Sequence, residues 1–156
     1  MRIRQAKAGD IVNIYGLVKE MAKKELVLPK SKGKIAAMLA NYYVAEENGE
    51  FLGNCGFKID PDLRAEVVSF VVRDGFNGRG IGSELLKTVL KRIRSLGVKN
   101  AYALTLRPDI FLRLGFRKVD KRTLSRKIWE DCAACPRNEA DPGSVNCPEE
   151  AVVKEW

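Results

Sequence analysis

Ser69-Phe70-Val71-Val72-Arg73-Asp74-Gly75-Phe76-Asn77-Gly78-Arg79-Gly80-Ile81-Gly82-Ser83-Glu84-Leu85-Leu86 joins an apolar strand to a glycine-studded loop and then to a helix. Val67 to Val72 is almost continuously apolar and rich in branched residues, the pattern of a strand covered on both faces. From Ile81 the period changes: Ile81, Leu85, Leu86, Val89, Leu90, Ile93 and Leu96 form one stripe of a helix that stops at Gly97. Between the two, Gly78, Gly80 and Gly82 carry no Cβ, so the backbone can tighten and turn its N–H groups toward an anion. The helix dipole favours negative charge at that N-terminus, and Arg79 adds a mobile positive charge. Such a junction is suited to a pyrophosphate.

Other phosphate-binding patterns fit less well. No Lys-Ser/Thr pair follows the last glycine, as a P-loop requires. The glycines come in mid-chain and only one crossover helix follows, which argues against a dinucleotide fold. The 156 residues suffice for one domain with a real core and a short appendage. There is no histidine, which removes Ser-His-Asp and Cys-His catalysis and any imidazole base. The net charge of +8 is uneven, because the stretch from Cys132 to Trp156 is acidic and the body correspondingly more basic. Such a body can attract anionic cofactors, dianionic amino acids or nucleic acid. The lysines of 19–34 and the cations of 87–94 lie mostly opposite the apolar stripes, as on an ordinary solvated helix face. No segment is long and apolar enough to span a bilayer, and a cytoplasmic protein is expected.

The remaining pattern reads in chain order. Arg2 to Lys7 predicts a strand, and Asp10 a cap on a helix burying Ile11, Ile14, Tyr15, Val18 and Met21. Pro29 breaks the chain, and Ser31 can cap a second helix with Ile35, Met38 and Leu39 inward. Tyr43 to Glu47 and Phe51 to Ile59 predict a hairpin across Asn48-Gly49, a type I′ signal. The central strand opens at Glu66. After the long helix come a strand over 98–105, a short helix over 109–114 and a final pair of strands over 116–119 and 124–129. The expected organisation is one α/β domain over 1–130 and a cysteine-containing acidic tail over 131–156.

Asn77-Gly78-Arg79-Gly80-Ile81-Gly82, followed by Ser83, resembles the coenzyme A loop of the GCN5-related N-acetyltransferases, Gln/Arg-x-x-Gly-x-Gly/Ala. Asn77 departs from the usual Gln or Arg, so one contact to the pyrophosphate is lost or falls to Arg79. The element order matches as well. The resemblance implies an α+β fold around a mixed, mostly antiparallel sheet whose fourth and fifth strands splay apart, with acetyl-CoA as cosubstrate. Further segments look like the short amino-acid N-acetyltransferases that make N-acetylglutamate: Leu28-Pro29-Lys30-Ser31, Ala45-Glu46 with Gly53-Asn54-Cys55, Ala65-Glu66, Leu104-Thr105, Phe111 to Phe116 and Lys127 to Cys132.

That resemblance implies direct attack of an amine on the thioester, without an acyl-enzyme. The ammonium must lose a proton, and Glu66 is the candidate acceptor; its alternative reading is a solvated strand-end glutamate. The thioester oxygen gains charge, for which a main-chain N–H of Phe70, Val71 or Val72 near a β-bulge is the implied donor. Many relatives protonate the leaving thiolate with a tyrosine where this chain has Phe111, which has no hydroxyl; water, the coenzyme, Tyr102 or Tyr43 are the substitutes. If glutamate is the acceptor, Arg107, Lys30 and Ser31 are the candidates for its carboxylates, each also readable as a plain surface residue.

Cys132-Ala133-Ala134-Cys135 and Cys147 place three thiols in the acidic tail, with Cys-x-x-Cys at zinc-knuckle spacing but no histidine to complete a set. Structural zinc, a disulfide and free thiols all remain open there, and Cys55 reads as a buried thiol. The expected activity is arginine-biosynthetic acetylation of the α-amine of glutamate, with no nucleic-acid or membrane partner and a possible homodimer in which Trp156 docks on a neighbour. Acetylation of another amino acid, a polyamine or a protein amine stands beside it. So does a non-catalytic acyl-CoA sensor, and more remotely a nucleic-acid-binding knuckle.

Overall fold

The computed structural model describes residues 1–124 and 149–156, which divide into two units, Met1–Ala101 with Glu155–Trp156 and Tyr102–Lys154. In the first unit, β1 (Arg2–Gln5) lies antiparallel to β2 (Tyr42–Glu47), β2 to β3 (Glu50–Ile59) and β3 to β4 (Ala65–Val72). The β2–β3 turn has the expected type I′ signature, with φ of 51° at Asn48 and 77° at Gly49.

Helix α1 (Ile11–Lys23) buries Ile14, Leu17, Val18 and Met21; Ile11 and Tyr15, expected inside, are only half-buried. Helix α2 (Lys32–Ala37) contributes Ile35, and its N-terminus is capped as expected by Ser31, whose Oγ accepts the Lys34 N–H at 3.1 Å. These side chains form one core with Tyr42, Val44 and Val71. Helix α3 (Ile81–Ser95) buries Ile81, Leu85, Leu86, Val89, Leu90 and Ile93, each worth roughly 1.5–3 kcal/mol. The stripe ends there: Leu96, expected inward, is 43% exposed in the turn that closes on Gly97. Gly53 brings α3 close, since a Cβ on it would lie 3.5 Å from Leu85 and only 2.6 Å from the Val71 carbonyl.

Asp10 corrects the sequence reading in its detail. It precedes α1, but its carboxylate makes no bond to that helix. Instead it accepts the Lys7 N–H at 2.7 Å and both Arg4 Nη1 (2.7 Å) and Nη2 (3.0 Å), while Nη2 also donates to Glu46 at 3.0 Å. The cap has become an ion-pair network that ties the chain entry of α1 to β1 and β2.

In the second unit, α4 (Asp109–Arg113) ends at Leu114, and β6 (Arg117–Val119) pairs antiparallel with β7 (Glu150–Glu155). β5 (Asn100–Thr105) precedes α4. The strand expected over 124–129 lies outside the described residues except for Leu124, which closes a 3₁₀ turn. β7 comes from the segment expected as an acidic tail. Trp156 is half-buried, and its indole donates to the Val98 carbonyl at 2.8 Å within its own unit.

Candidate active site

The loop after β4 has the conformation that its glycines predict. Gly78 and Gly80 adopt φ of 80° and 78°, and Gly80 is the N-cap of α3, which has no side chain with which to cap the first turn. The leading N–H groups of a long helix are thus left to an outside acceptor, as an anion site requires. A side chain on Gly80 would meet no atom within 4 Å, so only the backbone conformation forbids one. Gly80→Val is expected to raise the KM for acetyl-CoA about tenfold, the equivalent of the roughly 1–2 kcal/mol by which a side chain disfavours left-handed backbone. Steady-state kinetics at fixed acceptor would check it, and an unchanged KM would separate the loop from cofactor binding.

Arg79 is less mobile than the sequence implies. Its guanidinium donates to Glu47 at 2.7 Å and lies 5.5 Å from the centroid of Phe76, and it holds the Glu47 carboxyl below the usual carboxylate range. Arg73 flanks the same ring at 5.5 Å and is bound to Glu50 and to the Phe51 carbonyl, both at 3.0 Å. Lys24 pairs with Asp74. The loop is thereby fastened to the β2–β3 hairpin and to the end of α1 before any ligand arrives.

β4 carries the expected irregularity, one residue before the expected donors. Val68 pairs with Gly56 and Val71 with Asn54, so Cys55 alone stands opposite both Ser69 and Phe70. This is a β-bulge. Ser69 has φ of 51°, a conformation costing a non-glycine residue roughly 1–3 kcal/mol. Two buried side chains hold it: the Asn54 amide donates to the Ser69 carbonyl at 2.7 Å, and the Tyr42 hydroxyl lies 2.9 Å from Ser69 Oγ. Burial pushes the Tyr42 phenol above its ordinary range, with the Ser69 bond opposing, so it is neutral across physiological pH.

Glu66 is not a solvated strand end. It is 5% exposed and sits across the ladder from Lys58, whose Nζ is 3.2 Å from Oε2. Burial beside a cationic partner sets Glu66 apart from an ordinary surface glutamate. Glu66 and Val68 share with Lys58 and Gly56 the face of the ladder on which Tyr42 lies, since the Tyr42 ring rests on Gly56 where a Cβ would be 2.9 Å away.

The family model described as the acetyltransferase (GNAT) family matches residues 18–116. The chain belongs to the GNAT family. An uncharacterized N-acetyltransferase of Chlorobaculum tepidum is 29% identical over 152 residues, spanning 97% of this chain and 94% of that one. An amino-acid acetyltransferase of Shewanella oneidensis is 27% identical over 128 residues, 81% of this chain but 29% of its relative, so this GNAT chain spans under a third of that protein's length. Among solved structures, N-acetylglutamate synthase from Neisseria gonorrhoeae, complexed with coenzyme A and N-acetyl-glutamate, has the same fold at a TM-score of 0.84 and 22% identity, over 99% of this chain and 34% of that one. The α/β, mostly antiparallel fold expected of a GNAT acetyltransferase is therefore the one present.

Other expected site residues of this GNAT chain stand as follows. Lys30 is half-buried before α2, and the Ser31 side chain is engaged as the cap of that helix. In the second unit, Arg107 is exposed, with its N–H bound to Thr105 Oγ1 at 2.9 Å. Phe111 is buried edge-on against Phe116, with ring centroids 5.1 Å apart, in the packing role that a residue without a hydroxyl can fill. Tyr102 belongs to an apolar cluster with Leu124, Ala151 and Val153 and so is not placed as a free phenol. Cys132, Cys135 and Cys147 lie outside the described residues. Among the described residues no cluster could hold a metal, and Cys55 is a free, fully buried thiol whose pKa burial drives far upward. No described helix is long and apolar enough to cross a membrane.

Proposed function

We propose that this protein transfers the acetyl group of acetyl-CoA to the α-amine of L-glutamate, by direct attack in a ternary complex. What carries the reading is the coincidence on one β4–loop–α3 unit of an uncapped helix N-terminus behind left-handed glycines, a bulged strand and a buried carboxylate. The similarity to amino-acid acetyltransferases over most of the chain supports the acceptor class.

Each part has a task. The loop from Asn77 to Ser83 takes the pyrophosphate, with Gly78, Gly80 and Gly82 allowing close approach and the N–H groups around Ile81 facing the anion. Arg79 exchanges part of its bond to Glu47 for the phosphate oxygens, a change of partner between two anions that needs no new cation. Glu66 accepts the ammonium proton, directly or through a water, which leaves a neutral amine to attack the carbonyl. A main-chain N–H among Phe70, Val71 and Val72 stabilises the oxyanion. Collapse of the tetrahedral intermediate breaks the C–S bond, and the proton that the attacking nitrogen sheds passes through a water to the departing CoA thiolate, because Phe111 has no hydroxyl to supply one. Lys30, Ser31 and Arg107 are assigned to the two carboxylates of glutamate, where cationic and hydroxyl donors suit planar anions. Of the segment over 131–156, residues 150–155 belong to the fold as β7, and zinc is the candidate ligand of Cys132, Cys135 and Cys147.

The test is release of free CoA thiol from acetyl-CoA with each amino acid, polyamine and peptide amine in turn, with mass detection of the product and background hydrolysis subtracted. Turnover confined to glutamate is expected. Turnover with another amine would reassign the acceptor, and tight binding of acetyl-CoA with no turnover would make the protein an acyl-CoA sensor.

A further inference from the structure

The bulge in β4 is an expensive way to build a strand. Ser69 lies in the left-handed region, where glycine would sit without strain, and Asn54 occupies a fully buried position at which its Oδ1 has no hydrogen-bond partner among the described residues. An apolar side chain at 54 and a glycine at 69 would remove both penalties. A site that retains such penalties is commonly one where conformation serves the chemistry.

What the arrangement achieves is a fixed direction for the chain. The Asn54 amide grips the Ser69 carbonyl at 2.7 Å, and the Tyr42 hydroxyl engages its Oγ at 2.9 Å, so the residue is held from both main chain and side chain. Tyr42 itself cannot shift, because it is wholly buried with its ring flat on Gly56. Past the bulge the register has moved by one: Val71, not Phe70, pairs with Asn54 on the face that Val68 shares with Gly56. The inserted residue thereby re-aims the peptide N–H groups of Phe70, Val71 and Val72.

We infer that Tyr42 and Asn54 are positioning residues which, through Ser69, aim the main-chain N–H donor of the Phe70–Val72 segment at the thioester oxygen. The inference rests on the proposed acetyl transfer. Misaiming an oxyanion donor harms the transition state more than the bound ground state.

The test compares Tyr42→Phe, Ser69→Gly and Asn54→Ala with the unaltered protein by steady-state kinetics, thermal unfolding and backbone amide NMR shifts on adding acetyl-CoA or CoA. Ser69→Gly is the decisive variant, because relief of the backbone strain offsets the lost Tyr42 hydrogen bond and the unfolding temperature should change little. It and Tyr42→Phe are expected to lower kcat about 10- to 100-fold with the KM for acetyl-CoA changed less than twofold. The double variant should fall little further, since the two groups act through one bond. Phe70, Val71 and Val72 amides should report the acetyl group in the unaltered protein and lose that response in the variants. A kcat within twofold of the unaltered protein in Ser69→Gly, or an acetyl-dependent shift that survives in the variants, overturns the inference. If the unaltered protein acetylates no amine, the transfer reading fails on its own, while the amide shifts still decide whether the clamp orients those donors toward the acyl group.

Discussion

Glu66→Gln is expected to lower kcat by roughly 10²–10⁴ near neutral pH, the range that a positioned general base supplies, and to leave the KM for acetyl-CoA close to its original value. The substitution is nearly isosteric, and the Gln carbonyl can still accept from Lys58, which lies 3.2 Å from Glu66 Oε2. Lys58 is partly exposed, so water compensates for the charge that it loses. Folding should therefore be little affected, and thermal unfolding provides the control. The loss is expected to shrink as pH rises, because a growing share of the acceptor amine arrives already deprotonated and needs no base. A pH–rate profile parallel to that of the unaltered protein would remove Glu66 from the role, however large the drop.

The sequence makes the cofactor loop readable because its signal is local. Glycines two apart, a preceding apolar strand and a change of period at Ile81 each follow from what the neighbouring residues can do, and Gly78 and Gly80 have the positive φ that this implies. The type I′ hairpin is legible for the same reason. What the sequence hides is whatever depends on register. One inserted residue in β4 leaves the apolar run Val67 to Val72 looking uniform, so nothing in the pattern locates the bulge at Ser69 or brings Asn54 and Tyr42 to it. The place of Lys58 opposite Glu66 is likewise set by the β3–β4 pairing, and a lysine next to the apolar Phe57 in a strand is the one local hint of a carboxylate across from it. The pairing of Arg79 is hidden from the sequence because Glu47 is distant along the chain, on the β2–β3 hairpin. β7 is hard to read from the sequence because Ala151-Val152-Val153 is a short apolar run inside an acidic segment, whose composition outweighs its strand propensity.

Asp10→Ala should cost roughly 3 kcal/mol of stability at neutral pH, the scale on which breaking a largely buried ion pair strands its partner. The carboxylate is 8% exposed and serves three donors, the two Arg4 nitrogens and the Lys7 N–H, none of which an alanine can satisfy. Arg4 keeps Glu46 at 3.0 Å, which limits the damage and makes Asp10 rather than Glu46 the cornerstone, since the Lys7 N–H would otherwise be left bare. The same contacts give the effect a pH signature. Hydrogen bonding from Arg4, opposed by burial and aided by the Lys7 N–H, holds the Asp10 carboxyl below its ordinary range. The unfolded chain therefore binds a proton that the folded chain refuses, and stability increases with pH across that window. The contribution is complete above the unfolded pKa of about 3.9 and disappears as pH falls through the lower, folded value. Urea unfolding of the unaltered protein and Asp10→Asn should show a gap that is flat from neutral pH down to about 5 and closes in stronger acid, as the linkage requires. A gap independent of pH down to the acid transition would mean that the carboxylate's charge contributes nothing, and that the network is held by its shape alone.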